Sequence, residues 1–293
     1  MVSLEGLKRA LGRLTNGKPV VVRAGSVCMK LCIRRAAIAQ IRREAAKTTQ
    51  ALDWSLYDRS TIVRVKCPVR FVAISRYIDE QNTTAARELH LKKQAAMISI
   101  AIGTLRYALE APTCPAVDLV RLRAADVRVS LCVARQSRSS CDTCTHNHGS
   151  LSCECACRCS NILDSEILAF AVPVTPMHGD FFPGNALMKN DELLLIDWEH
   201  ASTCGTVLYD WWFLWTSMIR RGTFDDNGRR FASYLQKALD ALEIDWAQFD
   251  ALGHVFEAVV NLSRRRTRNA ANSELEGSIR ELDAIVEGTH GER

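Results

Sequence analysis

One short stretch constrains this chain more than any other. Residues 178–185 read His-Gly-Asp-Phe-Phe-Pro-Gly-Asn, and Asp197 follows twelve residues later. Proline and glycine together predict a tight turn, which would bring Asn185 back toward Asp180. Residues 193–196 are a short apolar run, best interpreted as a buried strand that ends at Asp197. The pattern predicts a loop, a turn and a strand that collect three polar side chains at one end.

The order of these polar residues suits phosphoryl transfer from ATP to a hydroxyl. That reaction needs a group that holds the nucleophile and accepts its proton, and magnesium that neutralises the phosphate oxygens. Magnesium prefers oxygen ligands and usually takes only one or two from the protein. Any one of Asp180, Asn185 and Asp197 could instead be an ordinary turn or strand-end residue. All three in this order favour the chemical interpretation.

The same residues resemble a known superfamily. His178-Gly-Asp180, Asn185 and Ile196-Asp197-Trp-Glu are similar to motifs of the aminoglycoside phosphotransferase and choline kinase superfamily. The resemblance implies an α+β, protein-kinase-like fold of two lobes, and phosphorylation of small molecules. It also implies that Asp180 is the catalytic base, that Asn185 and Asp197 bind magnesium, and that His178 orients the catalytic loop.

The resemblance extends a little beyond this motif. Gly205 and Asp210 match the glycine and aspartate that usually follow the metal-binding strand. We interpret Asp210 as structural, capping a helix and bracing the catalytic loop. The match is strongest over residues 176–212.

A kinase-like fold requires a lysine for the nucleotide in the first third of the chain. Residues 27–33 alternate as a strand does, with Lys30 in the middle. A helical stretch, Arg35–Leu52, follows and carries Glu44. An ion pair between Lys30 and Glu44 would hold the lysine on the α- and β-phosphates. The alternative is a lysine on an exposed strand face.

Upstream, Thr15 and Asn16 lie in a Leu-Thr-Asn run that resembles the phosphate loop of choline kinases. The two glycines expected just before it are replaced here by Gly12-Arg13. Phosphate loops use glycine because it lets the backbone approach the phosphate closely. We predict nucleotide contact at Thr15 and Asn16, with a plain hairpin turn as the alternative.

These patterns predict two lobes. Residues 1–79 would form a small β-rich N-lobe that binds nucleotide, ending in the strand and linker of residues 71–80. Residues 80–293 would form a larger, mainly helical C-lobe that carries the catalytic loop and the substrate site. Its first long helix is predicted from His90 to Leu109 by helical periodicity. Residues 111–160 do not resemble the superfamily and are predicted to be an insertion.

The insertion is rich in cysteine. Six of the twelve cysteines of the chain lie between residues 141 and 159 of it: Cys141, Cys144, Cys153, Cys155, Cys157 and Cys159. Thiolates beside histidines could form a structural zinc site, whereas disulfides are disfavoured in a reducing cytosol. A flexible insertion without metal is the alternative that we favour.

Composition agrees with a cytoplasmic enzyme. The chain has 293 residues, of which 47% are hydrophobic and 24% charged, and a net charge of +5. No run approaches the length of a membrane span, and the N-terminus lacks a secretory apolar core. The mild positive charge does not require a nucleic acid partner. The expected ligands are ATP, Mg²⁺ and a small hydroxyl compound, and the oligomeric state is left open.

The identity of the phosphoryl acceptor is less constrained. The resemblance allows an aminoglycoside, an amino alcohol such as choline, or a sugar. Residues 209–215 are dense in aromatics, which bind quaternary ammonium through cation–π attraction. Trp211, Trp212 and Trp215 have helical spacing, however, so we interpret them as core. The rival function is a catalytically silent kinase-like protein that binds nucleotide, metal or a partner. The altered glycine loop favours that rival, and the intact catalytic residues oppose it.

Overall fold

The structure is a computed structural model of the chain. It describes residues 20–24, 27–32, 35–69, 72–76, 86–125, 166–223 and 225–265.

The N-terminal part is an antiparallel sheet covered by a helix. Its four strands follow the spatial order β1-β2-β4-β3, and β1 carries three valines, whose β-branched side chains favour a sheet. Helix α1 packs against β3 and β4. The predicted strand around Lys30 and the predicted helix after it are both present. The bounds are β1 Val20–Ala24, β2 Val27–Leu31, α1 Arg35–Ala51, β3 Val65–Val69 and β4 Val72–Arg76.

The sheet and its helix enclose a small core, distinct from a much larger one. The small core holds five buried residues: Cys32, Ile41, Ala45, Val65 and Ala73. The larger core begins at Ala51 and runs to Val260 in sequence. It includes Leu56, Tyr57 and Ile62, although the prediction assigned residues 1–79 to the N-lobe. Residues 51–62 thus pack with the C-terminal part.

Residues 57–63 also reach the C-terminal part through the backbone. After a 3-10 turn at Arg59–Thr61, Ile62 forms an isolated parallel bridge with Leu195. The amide of Val63 donates to the carbonyl of Leu195 at 3.1 Å. The strand that carries Asp197 at its end is therefore held by the N-terminal segment.

Three two-stranded antiparallel sheets form the scaffold of the central region. They pair β5 with β6, β7 with β10, and β8 with β9. Short 3-10 turns lie at Glu166–Leu168, Pro183–Asn185 and Trp198–His200. The strand bounds are β5 Thr113–Pro115, β6 Ala171–Pro173, β7 Thr175–Met177, β8 Ala186–Lys189, β9 Glu192–Leu195 and β10 Ser202–Gly205.

The remainder is mainly helical. The helices are α2 Ala86–Gly103, α3 Leu105–Glu110, α4 (residues 116–125), α5 Val207–Arg220, α6 Asp226–Ala241 and α7 Trp246–Arg265. Trp211 and Trp212 of α5 are fully buried, as their core interpretation predicts. No helix among the described residues is long and apolar enough to cross a membrane.

The long helix predicted from His90 to Leu109 is in fact two helices. The chain breaks at Thr104, whose hydroxyl donates to the carbonyl of Ala101 at 2.7 Å. The same hydroxyl accepts a 2.9 Å hydrogen bond from the indole of Trp211. A buried polar side chain and a distant tryptophan thus set the break, and helical periodicity alone could not reveal it.

The segment predicted as an insertion begins as part of the core. Strand β5 pairs with β6, and Leu119 and Val120 of α4 are fully buried. Residues 113–125 are therefore integral to the fold. Residues 126–165, with all six cysteines of the predicted zinc site, lie outside the described residues. The predicted α+β class, with a strand-rich N-terminal part and a mainly helical remainder, is confirmed.

Candidate active site

Asp180 lies in the loop between β7 and the turn Pro183–Asn185. The side-chain amide of Asn185 donates to the carboxylate of Asp180 at 2.8 Å and to its backbone carbonyl at 2.9 Å. The predicted return of Asn185 toward Asp180 is therefore present. Because Nδ2 faces Asp180, Oδ1 is the side-chain atom of Asn185 that could ligate a cation.

The neutral imidazole ring of His178 holds this loop in place through two hydrogen bonds. Its Nδ1 accepts from the amide of Asp180 at 3.3 Å, so its Nε2 carries the proton and donates to the carbonyl of Ile196 at 3.0 Å. Burial lowers the pKa of His178 to about 4, which keeps the ring uncharged near neutrality. Trp198 packs on the ring, with 4.4 Å between centroids. The ring thereby joins the Asp180 loop to the end of β9, as its predicted orienting role requires.

Asp210 holds the same loop through three hydrogen bonds. Its carboxylate accepts from the amides of His178 at 2.7 Å and Gly179 at 2.8 Å, and from the hydroxyl of Tyr57 at 2.7 Å. Burial outweighs these bonds and raises the pKa of Asp210 to about 6. The predicted bracing role is thus present in the geometry. The predicted helix cap is wrong, because Thr206 caps α5 by accepting from the amide of Leu208.

Gly179 permits the close turn between His178 and Asp180. Its φ is +78°, in the left-handed region that side chains disfavour. A Cβ atom at this position would lie 2.3 Å from the carbonyl oxygen of His200. Both the backbone conformation and the available space therefore require glycine.

We expect Gly179→Ala to lower the free energy of unfolding by more than about 2 kcal/mol, since left-handed strain alone costs about 1–2 kcal/mol. Gly222→Ala is the matched control, because Gly222 has φ +61° but nothing within 4 Å of the added Cβ. Urea unfolding of both variants separates strain from the clash. Equal losses would contradict a clash with His200.

Asp197 follows β9 in a left-handed backbone conformation, with φ +63° and ψ +57°. Such conformations in residues other than glycine cluster at functional sites. Burial, then the charges of Glu199 and Glu44, raises the pKa of Asp197 to about 7 against an opposing effect of Lys30. The charge of Asp180 also raises the pKa of Asp197. The carboxylate therefore lies where negative charge is crowded.

Lys30 and Glu44 form the predicted ion pair. The ammonium lies 2.7 Å from both carboxylate oxygens of Glu44, which is buried on α1. Burial lowers the pKa of Lys30, but Glu44 more than offsets this, with smaller contributions from Asp197 and Glu199, so the net shift is upward. The strand lysine and the metal-binding strand end therefore share one electrostatic environment.

The charge at this site suits a divalent cation. Among the described residues, four carboxylates interact electrostatically with Lys30 or with one another: those of Glu44, Asp180, Asp197 and Glu199. Their negative charge exceeds the single positive charge of Lys30. No group of three His, Cys, Asp or Glu side chains in the described part is arranged to hold a metal. Asn185 and Asp197 would supply two oxygen ligands, the number that magnesium usually takes from a protein. The residues present fit magnesium.

Some residues at the site escaped the sequence analysis. Tyr57 donates to Asp210 across 153 positions, and Arg123 of α4 donates to the carbonyl of His200 at 2.7 Å across 77. No local pattern marks either residue. Glu199 lies within the Ile196–Glu199 motif, although the motif predicts no role for it; its carboxylate lies 3.0 Å from Nε2 of His200. Thr15 and Asn16 lie outside the described residues, so their predicted nucleotide contact stays a prediction.

Part of the chain matches a known protein family in sequence. Residues 154–252 match the model of the phosphotransferase enzyme family. Among curated proteins, none matches the chain in sequence.

Several solved structures are similar to the chain. Aminoglycoside phosphotransferase APH(2'')-Ib with bound ADP is 15% identical, with 97% of this chain and 99% of that chain covered and a TM-score of 0.45. A choline/ethanolamine kinase family protein from Mesorhizobium loti is 16% identical, covering 92% and 85%, with a TM-score of 0.45. Choline kinase LicA from Streptococcus pneumoniae is 12% identical, covering 92% and 89%, with a TM-score of 0.49.

The family match spans β6 to the start of α7, and so includes Asp180, Asn185, Asp197 and Asp210. For residues 154–252 it confirms the resemblance to the aminoglycoside phosphotransferase and choline kinase superfamily that the sequence motifs predict.

Proposed function

We propose that this protein transfers the γ-phosphoryl group of ATP to a hydroxyl of a small molecule. The proposal is carried by the convergence of two groups of residues that the sequence predicts separately. One is the pair Lys30 and Glu44, and the other is Asp180 with Asn185 and Asp197. The Lys30–Glu44 pair from the N-terminal sheet acts electrostatically on Asp197, which in turn interacts with Asp180. A phosphate-binding cation, a metal ligand and a base are the parts that phosphoryl transfer needs in one place.

In the proposed reaction each residue has a defined task, and Asn185 has two. Asp180 holds the acceptor hydroxyl and takes its proton, while Asn185 constrains the orientation of its carboxylate. Lys30, braced by Glu44, holds the α- and β-phosphates. Asn185 and Asp197 would hold magnesium, which when bound neutralises charge on the phosphate oxygens.

Further expectations belong to the same proposal. ATP as donor, nucleotide contact by Thr15 and Asn16, and a cytoplasmic location are retained. The acceptor range remains an aminoglycoside, an amino alcohol or a sugar. Zinc at the six cysteines stays a prediction of a structural or regulatory site, and the rival, silent function would also use it.

The rival is a catalytically silent protein that binds nucleotide or a partner. The buried hydrogen bonds around Asp180 and the Lys30–Glu44 pair argue against it. A protein that only binds would not need a base oriented by Asn185, His178 and Asp210 together. Turnover of Mg-ATP distinguishes the two functions.

The test is ADP release from Mg-ATP with choline, ethanolamine, simple sugars and several aminoglycosides as acceptors, with and without EDTA. We expect Lys30→Met to lower kcat/KM about 10²-fold or more, the usual cost of losing one preorganised electrostatic contact. Lys66→Met is the matched control, because Lys66 is exposed on β3.

Two results would contradict the proposal. One is a protein that neither binds Mg-ATP nor releases ADP with any acceptor, which would favour the silent rival. The other is equal activity in the Lys30→Met and Lys66→Met variants, which would remove Lys30 from the nucleotide site.

A further inference from the structure

One tyrosine contacts both parts of the candidate active site, although it lies far upstream of both in sequence. Tyr57 follows α1 and is 4% exposed. Its ring packs edge-on against Trp198, with 5.5 Å between centroids, and against Phe181 at 6.4 Å. Trp198 is the residue after Asp197. Phe181 is the residue after Asp180. A single side chain therefore contacts a neighbour of the proposed metal ligand and a neighbour of the proposed base.

The hydroxyl of Tyr57 is a third donor to Asp210. It shares Oδ2 of Asp210 with the amide of His178, and both distances are 2.7 Å. Oδ1 of Asp210 accepts from the amide of Gly179 at 2.8 Å. Burial, then the charge of Asp210, raises the pKa of Tyr57 well above its ordinary value, so the hydroxyl keeps its proton and donates. A phenylalanine ring could make the same ring contacts, so packing does not require the hydroxyl.

These hydrogen bonds fix the backbone that leads into the base. The amides of three consecutive residues have acceptors. Asp210 accepts from the amides of His178 and Gly179, and Nδ1 of the His178 ring accepts from the amide of Asp180 at 3.3 Å. A carboxylate whose two oxygens accept from two different amides must keep one orientation. The bond from Tyr57 adds a further constraint on that orientation.

The segment that carries Tyr57 continues from the element that holds the phosphate-binding pair. Helix α1 bears Glu44, the partner of Lys30. Just beyond the end of α1, Trp54 packs on Trp198, with 6.1 Å between the ring centroids. One helix and a short turn thus join the proposed nucleotide site to Tyr57. The alignment of the N-terminal sheet with the catalytic loop therefore passes through this segment.

We propose that Tyr57 is a positioning residue, which acts through Asp210 to set the backbone of the catalytic loop and thereby places the carboxylate of Asp180 for phosphoryl transfer. The inference rests on the proposed function for the last part of that sentence only. Because Tyr57 acts through Asp210, its loss should lower kcat and leave the affinity for Mg-ATP nearly unchanged. The effect on kcat should be large, because a misplacement of about 1 Å can lower a rate about 10²-fold.

The first test does not depend on activity. Amide hydrogen exchange of the full chain, followed by mass spectrometry, measures local opening of the backbone. In Tyr57→Phe we expect a peptide that spans residues 178–180 to exchange about tenfold faster or more, the range for a hydrogen bond to a charged group. Tyr234→Phe is the matched control, because the hydroxyl of Tyr234 also donates a hydrogen bond, but to the carbonyl of Ile102 at 3.0 Å.

The second test measures turnover with an acceptor that the wild type phosphorylates. Tyr57→Phe should lower kcat about tenfold and leave KM for Mg-ATP within about twofold of the wild type. Tyr234→Phe should change neither quantity. Asp210→Asn removes the carboxylate through which Tyr57 acts. In the Asp210→Asn background, Tyr57→Phe should therefore lower kcat much less than it does in the wild type, because residues that act as a unit are not additive.

The outcomes separate the two proposals. Equal exchange of residues 178–180 in Tyr57→Phe and Tyr234→Phe, or equal kcat, would overturn the positioning role, and the proposed function would stand. A change in KM for Mg-ATP without a change in kcat would also overturn it, because Tyr57 would then act on the nucleotide. If exchange is faster in Tyr57→Phe alone, but the wild type neither binds nor turns over Mg-ATP, Tyr57 sets the loop and the proposed function fails.

Discussion

Asp180→Asn is expected to lower kcat about 10²–10⁴-fold while leaving the affinity for Mg-ATP nearly unchanged, because it removes the proton acceptor and keeps its shape. The asparagine can still receive the hydrogen bond of Asn185 through its oxygen. The loop conformation is set by His178, Gly179 and Asp210, so the substitution should not unfold it. ADP release at saturating ATP and acceptor measures the effect.

Asp191→Asn is the control for Asp180→Asn. Asp191 is exposed in the turn between β8 and β9, where its φ is +62°, a conformation that asparagine also tolerates. The same chemical change outside the site should leave kcat within twofold or so of the wild type. An Asp180→Asn protein with wild-type kcat would remove Asp180 as the base.

The second large effect is expected on stability. Asp210→Ala should lower the free energy of unfolding by about 3–5 kcal/mol, because three buried donors lose their acceptor. The substitution leaves the amides of His178 and Gly179 buried without their acceptor, and each such group costs about 1–3 kcal/mol. Urea unfolding followed by tryptophan fluorescence measures the loss.

Two variants calibrate the result for Asp210. Tyr57→Phe removes one of the three donors and should cost about 1–2 kcal/mol, clearly less than Asp210→Ala. Asp226→Ala removes an exposed aspartate from the first turn of α6 and should cost less than about 1 kcal/mol. If Asp210→Ala and Asp226→Ala cost the same, the three hydrogen bonds to Asp210 do not stabilise the loop.

Much of the site was predictable because its chemistry is local in sequence. Asp180, Asn185 and Asp197 lie within twenty positions, and a turn and a strand of ordinary composition are enough to bring them together. Lys30 and Glu44 are fourteen positions apart on a strand and the helix that follows it. In both cases the connection is short, so the secondary structure alone limits where the side chains can lie.

The features that escaped prediction depend on tertiary packing. The hydrogen bonds from Tyr57 to Asp210 and from Arg123 to His200 join residues that are 153 and 77 positions apart in sequence. The break at Thr104 depends on a hydrogen bond from Trp211, which a periodic pattern cannot contain. Helix α4 is not predicted from the sequence, because the arginine- and cysteine-rich composition of residues 111–160 obscures the buried positions near residue 119.

The hydrogen bond from Tyr57 to Asp210 also bears on how the chain divides. Residues 57–63 brace the catalytic loop and hold the strand that presents Asp197, yet they precede β3 and β4 of the N-terminal sheet. The chain therefore passes from the N-terminal sheet and its helix into the larger core and back again before it leaves for α2. Severing it between residues 79 and 80 would split one cooperative folding unit rather than release two.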